Sequence, residues 1–179
     1  MAEAPVPGPV PGSFRLATAA DIEAAWARMA RGLQPVVARG DCVLLGILLG
    51  AMPTLVNVAR RLDGDLRLEI CRVSRYRGGL QGSEPVWLAT PVLPLVGCRV
   101  VVIDDIYDAG HTLAAVAGWC RAAGASEVVT AVLATRRNAP GPGPDVAGLV
   151  IGDEYVYGCG MDYEERFRQL PDLYGLPAA

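Results

Sequence analysis

Apolar residues fall into short blocks whose period switches between that of a helix and that of a strand. Ile22, Ala25, Trp26, Met29 and Leu33 recur at helical spacing behind Thr18, a capping residue with Asp21 three positions on, and predict an amphipathic helix. It could pack on a main sheet or on a small flap beside it. Val43 to Leu48 is a continuous apolar run of strand length, ending in the small loop Leu49-Gly50-Ala51, with Pro53 opening a helix through Leu62. Leu66, Leu68, Ile70 and Val73 nearly alternate with Arg67, Glu69 and Arg72, as in a strand with one wet face. Val100 to Asp104 predicts a strand buried on both faces. A helix follows from Thr112 to Ala123, with Gly124 as its cap, and then a buried strand from Glu127 to Ala134. Val146–Ile151 and Tyr155–Gly158 are two shorter strand candidates. Strands alternating with helices predict an α/β domain around a mostly parallel sheet.

Between these blocks lie segments with no core pattern. Residues 1–12, MAEAPVPGPVPG, are broken by prolines and glycines and predict a disordered leader, leaving 13–179 as a single domain. Ser74 to Glu84, with Tyr76 between two arginines and several glycines, has the composition of a lid or of a floppy hairpin. Asn138 to Asp145 is a Pro/Gly connector.

With 179 residues the chain can bury a real core, built mainly from Ala, Val and Leu since only 6% of residues are aromatic. A formal net charge of −3 supplies no basic field for nucleic acid. Five scattered cysteines without a CxxC pair argue against a disulfide framework or a zinc site, and the single histidine, His111, disfavours a Cys–His pair. No apolar run approaches the ~18 residues that a membrane span needs, so the expected location is cytoplasmic.

The densest chemistry lies in RVVVIDDIYDAGHT, residues 99–112. Asp104 and Asp105 end an apolar strand, Asp108 follows, and the Ala109-Gly110-His111-Thr112 turn feeds a helix N-terminus, whose open N–H groups suit a phosphate. A phosphate cup beside three acids is reconciled by a divalent cation, most simply Mg²⁺. The acids could equally bind ribose hydroxyls or act as a base, and their residue types do not divide these roles. Arg136 and Arg137 end the next strand, where they could meet an anionic or carbonyl-bearing ligand. A fourth acid, Asp162, sits between Met161 and Tyr163 in a setting that suits a flat ligand better than a core. A P-loop NTPase, with VVVIDD as its Mg²⁺-binding strand, is excluded, because GxxxxGK[ST] is absent.

The segment VVVIDDIYDAGHTL resembles the phosphoribosyl-pyrophosphate motif of the type I phosphoribosyltransferases, and GDEYVYGCGMDYEERFRQLPDLYGLP resembles the purine-binding end of the hypoxanthine-guanine branch. The likeness covers about residues 18–176 and includes the ILLGAM and RYRGG loops in order. It implies the type I phosphoribosyltransferase fold, with a small hood formed by the N- and C-terminal segments. It also implies Mg²⁺-dependent purine salvage, in which phosphoribosyl pyrophosphate and hypoxanthine or guanine give IMP or GMP and pyrophosphate. Asp108 would be the base taking the purine N7 proton. Asp104 and Asp105 would hold ribose hydroxyls, Mg²⁺ or both, and Ala109 to Thr112 would cradle the 5′-phosphate. Leu49-Gly50 would be the pyrophosphate loop, often strained or cis, Tyr76 would lie in the lid, and Arg168 would meet pyrophosphate. Arg136, Tyr155, Val156, Met161 and Asp162 would surround the purine, Asp162 near a second Mg²⁺ or the exocyclic group. Homodimers or homotetramers are the family's usual assemblies.

Three positions depart from the pattern: Ala109 for Thr, His111 for Lys and Arg136 for Lys. The first removes a hydroxyl worth about 1 kcal/mol. The last replaces a point donor with a planar fork that could change purine preference or turn towards an acid. Other readings are a xanthine-preferring enzyme, or a regulator of the same fold that binds nucleotide or RNA.

Overall fold

The computed structural model describes residues 8–74 and 86–177. The lid assigned to Ser74–Glu84, Tyr76 included, therefore lies almost wholly outside the described residues. Six strands form the main sheet in the order β4-β3-β2-β5-β6-β7: β2 Cys42–Leu48, β3 Leu66–Ser74, β4 Val86–Ala89, β5 Arg99–Tyr107, β6 Glu127–Arg136 and β7 Val146–Ile151. All neighbours run parallel except β4, an antiparallel edge strand on β3. Among the described residues, three helices flank this sheet: α1 Ala19–Val37, α2 Met52–Ala59 and α3 His111–Ala122.

The helix α1 starts as its sequence predicts. Thr18 accepts from the Asp21 N–H while the Asp21 carboxylate accepts from the Thr18 N–H, a reciprocal cap worth about 1 kcal/mol. Its apolar stripe, Ile22, Ala25, Trp26, Met29 and Leu33, is buried on the main sheet against β6 and β7. The opposite face of the sheet is covered by α3 through Leu113, Val116 and Cys120. The two layers give β2 and β5 full burial from both sides, which is why their apolar runs are unbroken.

A second, three-stranded sheet in the order β1-β9-β8 forms the hood: β1 Phe14–Ala17, β8 Tyr155–Tyr157 and β9 Leu173–Leu176. The hood is built from N- and C-terminal segments, as the resemblance implies, and its strands pair antiparallel.

Four expectations are corrected. Residues 8–12 are not a free leader, since Val10 is buried and its N–H donates to the Tyr157 hydroxyl, which also bonds Ser13. The strands β5 and β6 run three and two residues beyond the predicted ends, because each keeps its parallel partner through the polar residues. The α2 helix stops at Ala59, short of Leu62. In β3, Leu68 and Ile70 are exposed while Cys71 is buried. Among the described residues no helix covers that face of the outer strands, and the polar residues of the other face are occupied, Arg67 donating to Cys98 Sγ and Glu69 accepting from Ile70, Val92 and Leu93.

Candidate active site

The carboxyl edge of β2 and β5 opens into a cleft of about 360 Å³. Leu49, Gly50, Asp104, Asp105, Asp108, Gly110, Thr112, Asp162 and Arg168 line it, which brings together nine of the residues singled out in the sequence. Ile47, Leu48, Ile106 and Leu113 supply apolar wall. Ile106 was missed, although it is the apolar residue that interrupts the acids in DDIYD and so had a visible signal.

Asp104 and Asp105 form the floor. Asp104 is buried and accepts from the Asp105 N–H at 2.9 Å, and Asp105 accepts from the Ile106 N–H at 2.7 Å. Burial pushes the Asp105 carboxyl above the ordinary carboxylate range; hydrogen bonding from Asp104 and the Ile106 N–H, with the nearby Arg168 charge, pulls against that rise. The space for Asp105 exists because residue 50 has no side chain: a Cβ there would stand 1.7 Å from Asp105 Oδ2. The peptide bond Leu48–Leu49, one step before the predicted pair, is cis.

The same loop is pressed from the hood. A Cβ on Gly160 would stand 2.0 Å from the Gly50 carbonyl oxygen, so the GCG turn after β8 and the LLG turn after β2 meet backbone to backbone. Gly160 was also missed; its only signal is a pair of glycines, both now found at positive φ. Arg168 locks this junction, with Nη1 donating to the Gly160 carbonyl at 2.8 Å and Nη2 2.6 Å from Asp162 Oδ1. The other Asp162 oxygen accepts from the Glu165 N–H.

At the far side of β5, Gly110 caps α3 at φ 74°, and a Cβ there would collide with the Tyr107 ring at 2.5–2.6 Å. Glycine is thus required twice, and the turn delivers the first N–H groups of α3 to the cleft. Ala109 and His111 line a neighbouring groove between α3 and the Pro/Gly connector instead of the cleft, so only their backbone is placed to serve a phosphate cup. The reason is helical geometry: the first-turn side chain of His111 points outward while Thr112 and Leu113 turn inward.

Of the residues that the resemblance assigns to a purine, Arg136 and Tyr155 are tied to lining residues of the cleft. Arg136 Nε lies 2.6 Å from Asp108 Oδ1, and its Nη1 donates to the Gly152 and Glu154 carbonyls at 2.9 Å each. Tyr155 is half exposed, its hydroxyl donating to the Asp162 carbonyl and its ring edge-on to Tyr163. Val156 sits in the edge strand β8 opposite Gly175 with its side chain buried, and Met161 is buried as well.

As to a metal, no set of three His, Cys, Asp or Glu among the described residues could hold one unaided. Adjacent carboxylates on the cleft floor do suit a hard cation that draws its remaining ligands from substrate oxygens and water. Asp162 would join only by giving up part of its contact with Arg168.

A family profile for the phosphoribosyl transferase domain matches residues 16–163. The chain belongs to the phosphoribosyltransferase family. It is 34% identical over 131 residues to a hypoxanthine-guanine phosphoribosyltransferase from Lactococcus lactis, with 72% of each chain covered. A homologue of the same description from Staphylococcus epidermidis is 29% identical over 139 residues, covering 76% of this chain and 78% of the relative. Among solved structures, a hypoxanthine phosphoribosyltransferase from Staphylococcus aureus superimposes with TM-score 0.85 at 25% identity, covering 91% of this chain and 90% of that one. A hypoxanthine phosphoribosyl transferase from Trypanosoma cruzi shares the fold with TM-score 0.87 at 23% identity, covering 96% and 95%. This phosphoribosyltransferase has no described helix long and apolar enough to cross a membrane.

Proposed function

We propose that the protein is a purine-salvage phosphoribosyltransferase that joins the 5-phosphoribosyl group of phosphoribosyl pyrophosphate to a 6-oxopurine, hypoxanthine or guanine. The observation that carries this reading is the convergence, in one cleft, of the Asp104–Asp105 pair, Asp108, the α3 N-terminal turn and Arg168, beside a hood carrying Tyr155. In this reading the α3 turn holds the 5′-phosphate and Asp104 and Asp105 face the ribose hydroxyls. Tyr155 stacks on the purine, and the open edge of β8 at Val156 offers it backbone groups. Asp104 and Asp105, with substrate oxygens, would hold Mg²⁺, which would supply charge neutralisation for the leaving pyrophosphate. Asp162 is a second candidate ligand.

The bond from the anomeric carbon to pyrophosphate breaks as the bond to the purine nitrogen forms. Asp108 takes the proton that the purine must lose, raising the nucleophilicity of the ring, a contribution of about 10²–10⁴-fold. Arg168 meets the departing pyrophosphate, and the apolar wall of Ile47, Ile106 and Leu113 limits water at the electrophilic carbon. Residues 13–179 would act as one catalytic domain, in the cytoplasm, as a homodimer or homotetramer.

The test is a base panel. The protein is incubated with Mg²⁺, phosphoribosyl pyrophosphate and hypoxanthine, guanine, xanthine or adenine, with nucleotide and pyrophosphate measured. Hypoxanthine and guanine should turn over and chelation should stop the reaction; no turnover with any base would overturn the reading. A preference for xanthine would redirect it to that substrate, which the Arg136 guanidinium makes a specific second reading.

A further inference from the structure

Arg136 stands at the end of β6 with its side chain 18% exposed, and its guanidinium reaches two separate parts of the site. Nε holds Oδ1 of Asp108, in the turn after β5, at 2.6 Å. Nη1 is shared between the carbonyls of Gly152 and Glu154, in the turn that leads from β7 into the hood. That turn is closed on itself, because the Gly152 N–H donates to Glu154 Oε1 at 3.0 Å. The Glu154 carbonyl belongs to the peptide that begins Tyr155, whose other end is fixed by its hydroxyl on the Asp162 carbonyl at 2.9 Å.

We propose that Arg136 is a positioning residue that braces Asp108, the assigned base, to the turn carrying Tyr155, so that the proton acceptor and the stacking ring are set at a fixed spacing for a flat heterocycle. The inference rests on the purine-phosphoribosyltransferase reading. Asp108 needs the brace: its own side chain is 50% exposed, so packing does not hold its carboxylate. With Oδ1 engaged by Arg136, the proposal leaves the proton transfer to Oδ2. A lysine at 136 could not do both jobs, since one ammonium cannot keep a donor at the Nε position and another at Nη1. Arginine at this position therefore has a different role from lysine, because its fork aligns two recognition elements where a point donor would meet the ligand alone.

The kinetic test is a double-variant cycle with hypoxanthine, using Arg136→Lys, Asp108→Ala and both together. Arg136→Lys should lower kcat about 10- to 100-fold, the scale of a base misplaced by about 1 Å, and raise KM for the purine severalfold. In the Asp108→Ala background the kcat effect of Arg136→Lys should shrink below about twofold while the KM effect persists. Equal kcat losses in both backgrounds would overturn the proposal, as would an Arg136→Lys enzyme with native constants. A second readout needs no turnover. The Arg136 Nε–H signal in ¹⁵N NMR should exchange slowly in the unmodified protein and lose that protection in Asp108→Ala. Protection unchanged by that substitution would sink the brace even in an active enzyme. Protection with no turnover of any base would leave the brace standing and sink the activity on which its purpose rests.

Discussion

Replacing Gly50 with alanine probes how tightly the floor of the cleft is built. The added Cβ would fall 1.7 Å from Asp105 Oδ2, 2.4 Å from its Cγ and 3.1 Å from its Cβ, so the clash is with the whole carboxylate. Retreat is blocked on both sides. Asp105 is held by the Ile106 N–H at 2.7 Å, and the Gly50 carbonyl already faces Gly160 at a separation that leaves no room for a Cβ. Residue 50 is not among the glycines at positive φ, so alanine carries no backbone penalty and the cost is steric. Overpacking of this kind costs about 1–3 kcal/mol. If half of that falls on the geometry that binds phosphoribosyl pyrophosphate, kcat/KM for that substrate drops about 2- to 13-fold, at about 1.36 kcal/mol per decade. The assay varies phosphoribosyl pyrophosphate at saturating hypoxanthine, with a thermal melt alongside. A Gly50→Ala enzyme within about twofold of native kcat/KM, melting at the native temperature, would refute the steric reasoning.

Other outcomes follow from the same contacts. Gly118 lies exposed in α3 with nothing within 4 Å of an added Cβ and no positive φ, so Gly118→Ala should stabilise the fold by about 0.5–1 kcal/mol in chemical denaturation without changing turnover. Glu69 accepts N–H bonds from Ile70, Val92 and Leu93; burial works against its ionised form, but these bonds outweigh it and hold the carboxyl below its ordinary value. Its stabilisation is therefore present above the unfolded-state value and lost as pH falls through the folded one, so Glu69→Ala should cost about 1–2 kcal/mol at pH 7 and progressively less in acid, read from denaturant midpoints at both pH values. Burial pushes the Cys71 and Cys159 thiols up to about 12 and that of Cys120 to about 11; a maleimide at pH 8 should label none of the three in the native protein and all of them in denaturant.

Much of this was legible before the structure. Thr18 and Asp21 announced a helix start, and the unbroken apolar runs of β2 and β5 announced strands buried on both faces, because those signals are local. DDIYDAGHT located the cleft for the same reason: a carboxyl-edge strand end and a helix N-terminus are adjacent in sequence. What stayed hidden depends on partners far along the chain. β1 and β9 are four residues each and pair across 150 residues or more, and Val10 is tied down by a hydrogen bond from its N–H to the distant Tyr157 hydroxyl. Leu68 and Ile70 are exposed where none of the helices among the described residues lies above β3, which no alternation in β3 can report. The Arg136–Asp108 contact was open as one of two outcomes for a fork at that position; the choice of the acid came from the carbonyls of Gly152 and Glu154, which aim the guanidinium.

The proposed proton acceptor is the point where fold and chemistry meet, and Asp108→Asn tests it most directly. Pyrophosphate release is measured at pH 7 with saturating phosphoribosyl pyrophosphate, Mg²⁺ and hypoxanthine, for the native and substituted proteins. Native turnover with a loss of about 10²–10⁴-fold in the variant, at unchanged thermal stability, is the predicted result. A variant that works at the native rate, or a native protein that releases no pyrophosphate with any purine, would contradict the account.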